Sequence, residues 1–322
     1  MPTTQSALDA LAALPAMDSL PYAPLSKYTR FGIGGPARLL CNCPGEAVLL
    51  QALTIARESG LPHVVLGQGT NVIAADHGFP GVVLRYTAGS IEADGTCLTV
   101  DAGAVLQQLV DFSIAQGLEG LHTMTGIPGW VGAAIYGNAG AYGHSIAEFV
   151  RRVRFYDGLQ VRAFDNSQCE FAYRESIFKR HKDWVILSAT LELPRGDRQA
   201  LQAKASEILE LRNAKYPPAM KCAGSIFKNL LVRDLAGAAL AQVPPSVIRE
   251  GKIPSAWFLE QAGAKGMRRG DIQVAAYHAN LIYNDGAGMA ADARAVIAEL
   301  KQRVVDRFAL ELEEEVQYVG FE

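Results

Sequence analysis

The sequence predicts a mixed helix-and-strand protein of two or three lobes. Three observations carry that reading. The chain has 322 residues, generous for a single core. Helical and β-branched runs alternate between residues 45 and 116. After residue 150 the pattern turns to strands, and from residue 199 it turns helical again.

Taken in order, residues 1–20 carry neither a basic leader nor a continuous apolar run, so no secretory signal is expected and they read as a flexible lead-in. Val48, Leu49, Leu50, Leu53 and Ile55 recur at helical spacing over residues 46–59, and Gly60 stops that helix. Residues 63–66 and 82–86 are short β-branched runs. A strand at 98–100 precedes an amphipathic helix at 104–116, closed by Gly117. Strands follow at 152–156, 160–164 and 185–193, and Asp157-Gly158 signals a hairpin between the first two. Residues 194–198 are polar and turn-forming, and a domain boundary is placed there. Beyond it lie helices at 199–212, 255–261 and 290–308, strands at 272–274 and 280–283, and a closing strand at 316–321.

Composition narrows the function classes. A net charge of −3 with both signs interspersed gives no field that would announce a nucleic-acid or lipid partner. Five cysteines, Cys41, Cys43, Cys97, Cys169 and Cys222, show no C-x-x-C pairing, which argues against a disulfide framework and a zinc ribbon and fits a reducing cytoplasm. No metal-ligand spacing occurs, so no metal is expected in the chemistry. G-x-x-x-x-G-K-[ST], H-E-x-x-H and G-x-S-x-G are all missing from the sequence.

The most informative stretch is GIPGWVGAAIYGNAGAYG, residues 126–143, inside 28 consecutive residues (120–147) without Asp, Glu, Lys or Arg. Its length would span a bilayer, but six glycines and Pro128 make a poor helix. Backbone without side chains can bring amides against an anion such as a diphosphate; a tightly packed turn region between strands is the plainer alternative. Residues 32–37 match G-x-G-x-x-A, but Pro36 falls inside the turn and no strand-to-helix context is convincing, so a Rossmann site is rejected there. The loop 67–71, G-Q-G-T-N, follows a strand and can form an anion nest without a helix.

Three smaller clusters hold plausible reactive groups. Tyr173-Arg174 opens YRESIFK, and Arg174 offers a donor fork suited to a carboxylate, or else a structural ion pair in a surface turn. Ser225 in AGSIFKN follows a glycine, where its hydroxyl can donate a proton, cap a helix or serve a turn. Glu313-Glu314-Glu315 is an acidic run, which is ordinarily a solvated feature, but one of its members enters the terminal strand and can point inward.

Together the blocks TRFGIGGPA, LGQGTN, GLEGLHTMTGIPGWVGAAIYGNAGAYG, YRESIFK, AGSIFKN, WFLEQAGAKGMRRGDIQVAAYHANLIYN and EEEVQYVG occur in this order from about residue 28 to residue 321. In this the chain resembles the UDP-N-acetylenolpyruvoylglucosamine reductases, or UDP-N-acetylmuramate dehydrogenases, of bacterial peptidoglycan synthesis. The resemblance implies an α+β architecture: an FAD-binding fold of the vanillyl-alcohol-oxidase type in two lobes, about 21–86 and 87–198, plus a smaller α+β substrate-binding domain at 199–315. A terminal strand, 316–322, returns to the first lobe. It implies that Gly67, Gln68, Gly69, Thr70 and Asn71 bind FAD, with Thr125, Gly126, Ile127, Pro128, Gly129 and Gly132, and with Asn138, Gly140, Ala141, Tyr142 and Gly143. Tyr173, Lys215 and Asn229 match positions that contact substrate.

The implied reaction is NADPH-dependent reduction of UDP-N-acetylglucosamine enolpyruvate, with hydride to C3 and a proton to C2. Ser225 is then the acid, Arg174 the partner of the substrate carboxylate, and Glu315 a donor in its protonated form or an orienting group. A cytoplasmic monomer without nucleic-acid partner or stable membrane insertion is expected, serving cell wall biogenesis and with it cell shape and division. Gly132-Ala133-Ala134 departs from consecutive glycines frequent in the family and is expected to tighten a loop. The short span 193–215 points to the subtype lacking a tyrosine-bearing capping loop. An oxidase of the same fold, or a non-catalytic flavin or UDP-sugar binder, shares many of these features.

Overall fold

The chain gathers into two units. The structure, a computed structural model, describes residues 3–235 and 237–321. Unit 1 comprises residues 1–23, 37–68 and 80–214; unit 2 comprises 24–36, 69–79 and 215–322. This division differs from the expected boundaries, because two short segments near the N-terminus group with the C-terminal third and the helix Arg198–Lys215 groups almost wholly with unit 1.

Unit 1 carries two larger sheets. The first has strand order Asp18–Pro24, Pro36–Cys43, Phe79–Tyr86, His63–Val65, with the last two parallel in the register Val64 opposite Val83. The helix Glu46–Glu58 buries Leu49, Ala52, Leu53 and Ala56, spaced at three and four residues as a core-facing stripe requires. The second sheet is antiparallel, in the order Val161–Asp165, Val150–Tyr156, Val185–Glu192, Cys97–Asp101, Ile91–Asp94. The helix Leu106–Ala115 adds Leu109, Val110 and Ile114 to the same core.

The expected lead-in is corrected at residues 4–12, which form the helix Thr4–Ala12. Thr3 caps it by accepting from the Ser6 amide at 3.2 Å, and Ala7, Leu8 and Leu11 are buried with the residues of Glu46–Glu58. Alanine and leucine at that spacing give a short helix an apolar stripe, and burial of the stripe holds it.

Unit 2 is built on an antiparallel sheet in the order Lys221–Ser225, Leu281–Asn284, Ile272–Val274, Arg268–Arg269. The helix Ala290–Phe308 buries Ala293, Val296, Ile297, Leu300 and Val304 in a core shared with Phe31, Ile33, Ile73 and Phe258. Its first turn is capped from a distant segment: the Ala290 and Ala291 amides donate to the Asp76 carboxylate at 2.7 and 2.9 Å, where an anion suits orphan N–H groups and the helix dipole. Gln317–Val319 pairs in parallel with Val72–Ala74, Tyr318 opposite Ile73.

Candidate functional site

Ser225 owes its setting to a bulge. Along Lys221–Ser225 the register runs from Cys222 opposite Tyr283 to Ser225 opposite Leu281, three steps against two. The extra residue re-aims the side chains at that point. Gly224 supplies the left-handed backbone, with φ of +75°, which a side-chain-bearing residue adopts only at a cost. The Gly-Ser pair of AGSIFKN thus has a local mechanical reason.

After the bulge the chain is held on two sides. The Ile226 amide donates to Asn280 O at 3.1 Å. The Phe227 amide donates to Asn280 Oδ1 at 2.9 Å, and Asn280 Nδ2 donates to Phe227 O at 2.8 Å and Ser255 Oγ at 2.7 Å. Asn280 is 3% exposed, so its amide acts as a backbone mimic sealed from water. On the other side Phe227 forms an antiparallel bridge with Glu314. The Glu315 amide donates to Ile226 O at 2.7 Å and the Lys228 amide to Glu313 O at 2.9 Å. Lys228, itself buried, forms an ion pair with Glu313. This pairing brings Ser225 and Glu315, 90 residues apart in sequence, to neighbouring backbone positions.

Glu315 precedes the terminal strand rather than lying in it. Asn71 clamps it: Asn71 Nδ2 donates to Glu315 O at 3.0 Å, while Asn71 O accepts from the Gln317 amide at 2.9 Å. Asn229 Oδ1 accepts from the Ser255 amide at 3.3 Å, and Lys215 is exposed.

Arg174 lies in unit 1, in a tight turn where the amides of Ala172 and Glu175 donate to each other's carbonyls at 3.0 and 3.1 Å. Arg174 has φ of +58°, a strained conformation for an arginine. Lys179 Nζ holds its carbonyl at 2.9 Å, and its own guanidinium donates to Gly140 O at 3.1 Å and lies 5.4 Å from the centre of the Tyr173 ring. Ser176 caps the helix Ile177–Arg180 and donates to Tyr136 O at 2.7 Å, while Phe178 packs edge-on to Phe155 with centroids 5.1 Å apart. Glu175, Ser176, Phe178 and Lys179 of YRESIFK thereby fix the turn that presents Tyr173 and Arg174.

The glycine-rich stretch resolves into three pieces rather than one loop: the short helix Val131–Tyr136, a two-residue turn at Tyr142-Gly143, and the pairing of Gly140–Ala141 with His144–Ser145. The expected tightening of a loop at 132–134 is corrected, since these residues are helical. A methyl on Gly132 would meet Ala102 Cβ at 2.9 Å, so packing accounts for that glycine. Asn138 Nδ2 donates to Ala172 O at 2.8 Å, and its Oδ1 accepts from the Ala147 amide at 3.3 Å. Gly126, Ile127 and Gly132 amides donate to Gln107, Met124 and Ala102, and Thr125 Oγ1 donates to His122 O.

The fit to an anionic cofactor therefore rests on fewer groups than the sequence suggested. Among the described residues the amides of Gly67, Gln68 and Gly129 donate to no protein acceptor. Gly67 meets Trp130 at ordinary contact distance, 3.7 Å from a built Cβ, and Arg85 lies 4.9 Å from the centre of the Trp130 ring. Amides without partners on glycine-bearing loops are donors suited to a diphosphate, and the residues fit FAD in that respect. Gly69 stands apart: a Cβ there would fall 2.1 Å from Tyr28 O, so its need for glycine comes from the chain itself.

Sequence reasoning missed Asn280 and Tyr216. Tyr216 Oη lies 3.1 Å from Ser225 Oγ. An asparagine opening an apolar strand was the available signal for Asn280; none marked Tyr216.

A family profile described as FAD binding domain matches residues 39–159, and one described as UDP-N-acetylenolpyruvoylglucosamine reductase, C-terminal domain, matches residues 216–319. The chain is 58% identical over 310 residues to a UDP-N-acetylenolpyruvoylglucosamine reductase of Solibacter usitatus, covering 96% of this chain and 99% of that one. It is 36% identical to a protein of the same description from Rubrobacter xylanophilus, over 92% and 94% of the two chains. The crystal structure of UDP-N-acetylenolpyruvylglucosamine reductase from Thermus caldophilus is similar at a TM-score of 0.71 and 27% identity, covering 94% of this chain and 98% of that chain.

Proposed function

The chain belongs to the UDP-N-acetylenolpyruvoylglucosamine reductase family, and from that premise we propose that it reduces UDP-N-acetylglucosamine enolpyruvate to UDP-N-acetylmuramate with FAD and NADPH in the cytoplasm. The fold is accordingly an α+β FAD-binding one, and the step belongs to peptidoglycan precursor synthesis. The observation that carries the mechanism is the pairing of residues 226–228 with 313–315, which sets Ser225 beside Glu315.

When bound and reduced by NADPH, FAD would supply hydride chemistry at C3 of the enolpyruvyl group. Charge then develops at C2 and on the adjoining carboxylate, where a preorganised donor is worth most. Arg174 is assigned to that carboxylate, its fork held by the Gly140 carbonyl and its backbone by Lys179. Ser225 gives its hydroxyl proton to C2; a serine is a weak acid, but the carbanionic centre is a strong base. Glu315, its backbone clamped by Asn71 and Ile226, is assigned to orient a donor or to be one when protonated. Tyr173, Lys215 and Asn229 are assigned to the rest of the substrate, with Lys215 as a point charge for a diphosphate. Gly67, Gln68 and Gly129 amides are assigned to the FAD diphosphate.

Anaerobic titration tests this reading. NADPH should bleach the flavin absorbance of the FAD-loaded protein and the enolpyruvyl substrate should restore it. A flavin that NADPH does not bleach, or that only oxygen restores, would leave an oxidase or a binding protein in place of the reductase.

A further inference from the structure

Ser225 is the residue asked to lose a proton, and among the described residues its hydroxyl has one side-chain partner, the phenol of Tyr216 at 3.1 Å. The direction of that hydrogen bond decides what Ser225 can do. A hydroxyl carries one proton and two lone pairs. If Ser225 donates, its proton is committed to Tyr216. If Tyr216 donates, the Ser225 proton is left for another acceptor, and Oγ already has a donor for the charge it gains when that proton leaves.

The surroundings are arranged for the second case. Tyr216 is partly buried, with the Lys215 ammonium 5.2 Å from the centre of its ring. The His278 ring lies 6.3 Å away between centroids, tilted by 46°. Its Nδ1 accepts from the Asn280 amide at 3.2 Å, so the neutral ring carries its proton on Nε2. Burial, and then the Lys215 charge, lowers the His278 pKa to about 4, which keeps it neutral near pH 7. The ring facing Tyr216 is thus uncharged, and Lys215 is the cation beside the phenol. Asn280 meanwhile fixes both the backbone just after Ser225 and the His278 ring.

We infer that Tyr216 is a positioning residue for Ser225: its phenol donates to Oγ, turns the Ser225 proton toward substrate and stabilises the oxygen as that proton leaves. The inference rests on the reading of Ser225 as the acid. In the step, the Oγ–H bond breaks, its electron pair stays on oxygen, and a C–H bond forms at C2. Tyr216 passes its proton along the hydrogen bond to Oγ, and water restores the phenol at its exposed edge. No oxidant or further reactant is needed.

Tyr216→Phe removes one oxygen from a half-buried ring and leaves its packing in place. Stopped-flow absorbance of the FAD-loaded protein follows each half-reaction separately. Reduction by NADPH should be unchanged, and reoxidation by substrate should slow about 10- to 100-fold, the worth of a hydrogen bond to a charged group. In a Ser225→Ala background Tyr216→Phe should add nothing, because the partner oxygen is gone. Equal slowing of both half-reactions, or further slowing without Ser225, would overturn the inference. Failure of substrate to reoxidise the unaltered protein would instead overturn the proposed activity. A measurement without turnover stands beside this one: in Ser225→Cys, the pH dependence of alkylation over the Ser225 background reports the thiol. Its apparent pKa should rise by about one unit when Tyr216→Phe is added, a tenfold loss of thiolate; no rise would also overturn the inference.

Discussion

Replacing Asn280 with alanine should unfasten unit 2 at the segment that carries Ser225. The side chain makes three hydrogen bonds, at 2.9 Å from the Phe227 amide, at 2.8 Å to Phe227 O and at 2.7 Å to Ser255 Oγ. Phe227 O keeps a weak donor in Ser255 Oγ at 3.4 Å. The Phe227 amide keeps no other acceptor among the described residues, and Phe227 and Ser255 are both sealed from water. A buried donor left without an acceptor costs about 1–3 kcal/mol, and each lost hydrogen bond about 1 kcal/mol. The expected loss is therefore about 3 kcal/mol, on the order of 10²-fold in the unfolding equilibrium. Urea denaturation followed by the fluorescence of Trp257, whose helix Ser255–Gln261 starts at this junction, reads it as a lower midpoint. Asn280→Asp keeps the acceptor for Phe227 and should recover part of the loss. A midpoint for Asn280→Ala within about 0.5 kcal/mol of the unaltered protein, the range of neutral surface changes, would refute the assignment of Asn280 as the fastening.

Leu11→Ala should cost about 2–5 kcal/mol, the range for a fully buried leucine, because Leu11 is sealed against the helix Glu46–Glu58; no change in thermal midpoint would restore the lead-in to a passive role. Arg174→Lys keeps a positive charge but loses the fork, so reduction by NADPH should persist while reoxidation by substrate slows at least tenfold; equal rates would remove Arg174 from the mechanism. His278 contributes a pH dependence of definite sign. Its pKa is lowered from 6.5 to about 4 by burial first and Lys215 second, so the unfolded chain binds the proton more readily. Its stability is present above about pH 6.5 and is lost as pH falls toward 4. His278→Gln should flatten the fall in urea midpoint across that window; an identical slope would show that other groups cause it.

Local pattern carried much of the fold. The helix Ser255–Gln261 and the helix Ala290–Phe308 lie where apolar periodicity places them, and Asp157-Gly158 closes a hairpin with Arg152 opposite Asp165. Pro36–Cys43 went unread as a strand because Leu39, Leu40 and Cys41 are all buried and the run does not alternate. Segments 24–36 and 69–79 could not be assigned to unit 2 from sequence. Their partners are remote: the Gly35 amide donates to Ala75 O, and the Ala75 amide to Val319 O, each at 2.9 Å. Ser225, Arg174 and Glu315, the side chains to which the proposal assigns the chemistry, were legible as residue types in short sequence blocks. Their supports were not. Asn280 and Tyr216 act through hydrogen bonds across 53 and 9 residues that no periodicity encodes.

The parallel pairing of Val72–Ala74 with Gln317–Val319 bears on how the chain is made. Synthesis runs from the N-terminus at about 5–20 residues per second, so at least about ten seconds separate the emergence of residue 74 from that of residue 319. Through that interval Phe31, Ile33 and Ile73 have no core to enter, because their apolar neighbours lie at 223–316. Unit 1 can gather its sheets as soon as residue 214 is out, while segments 24–36 and 69–79, which belong to unit 2, wait for the C-terminal third. The ribosome-bound protein thus passes through a stage in which a finished body carries unfinished strands, and chaperones that recognise exposed apolar chain have their longest opportunity there.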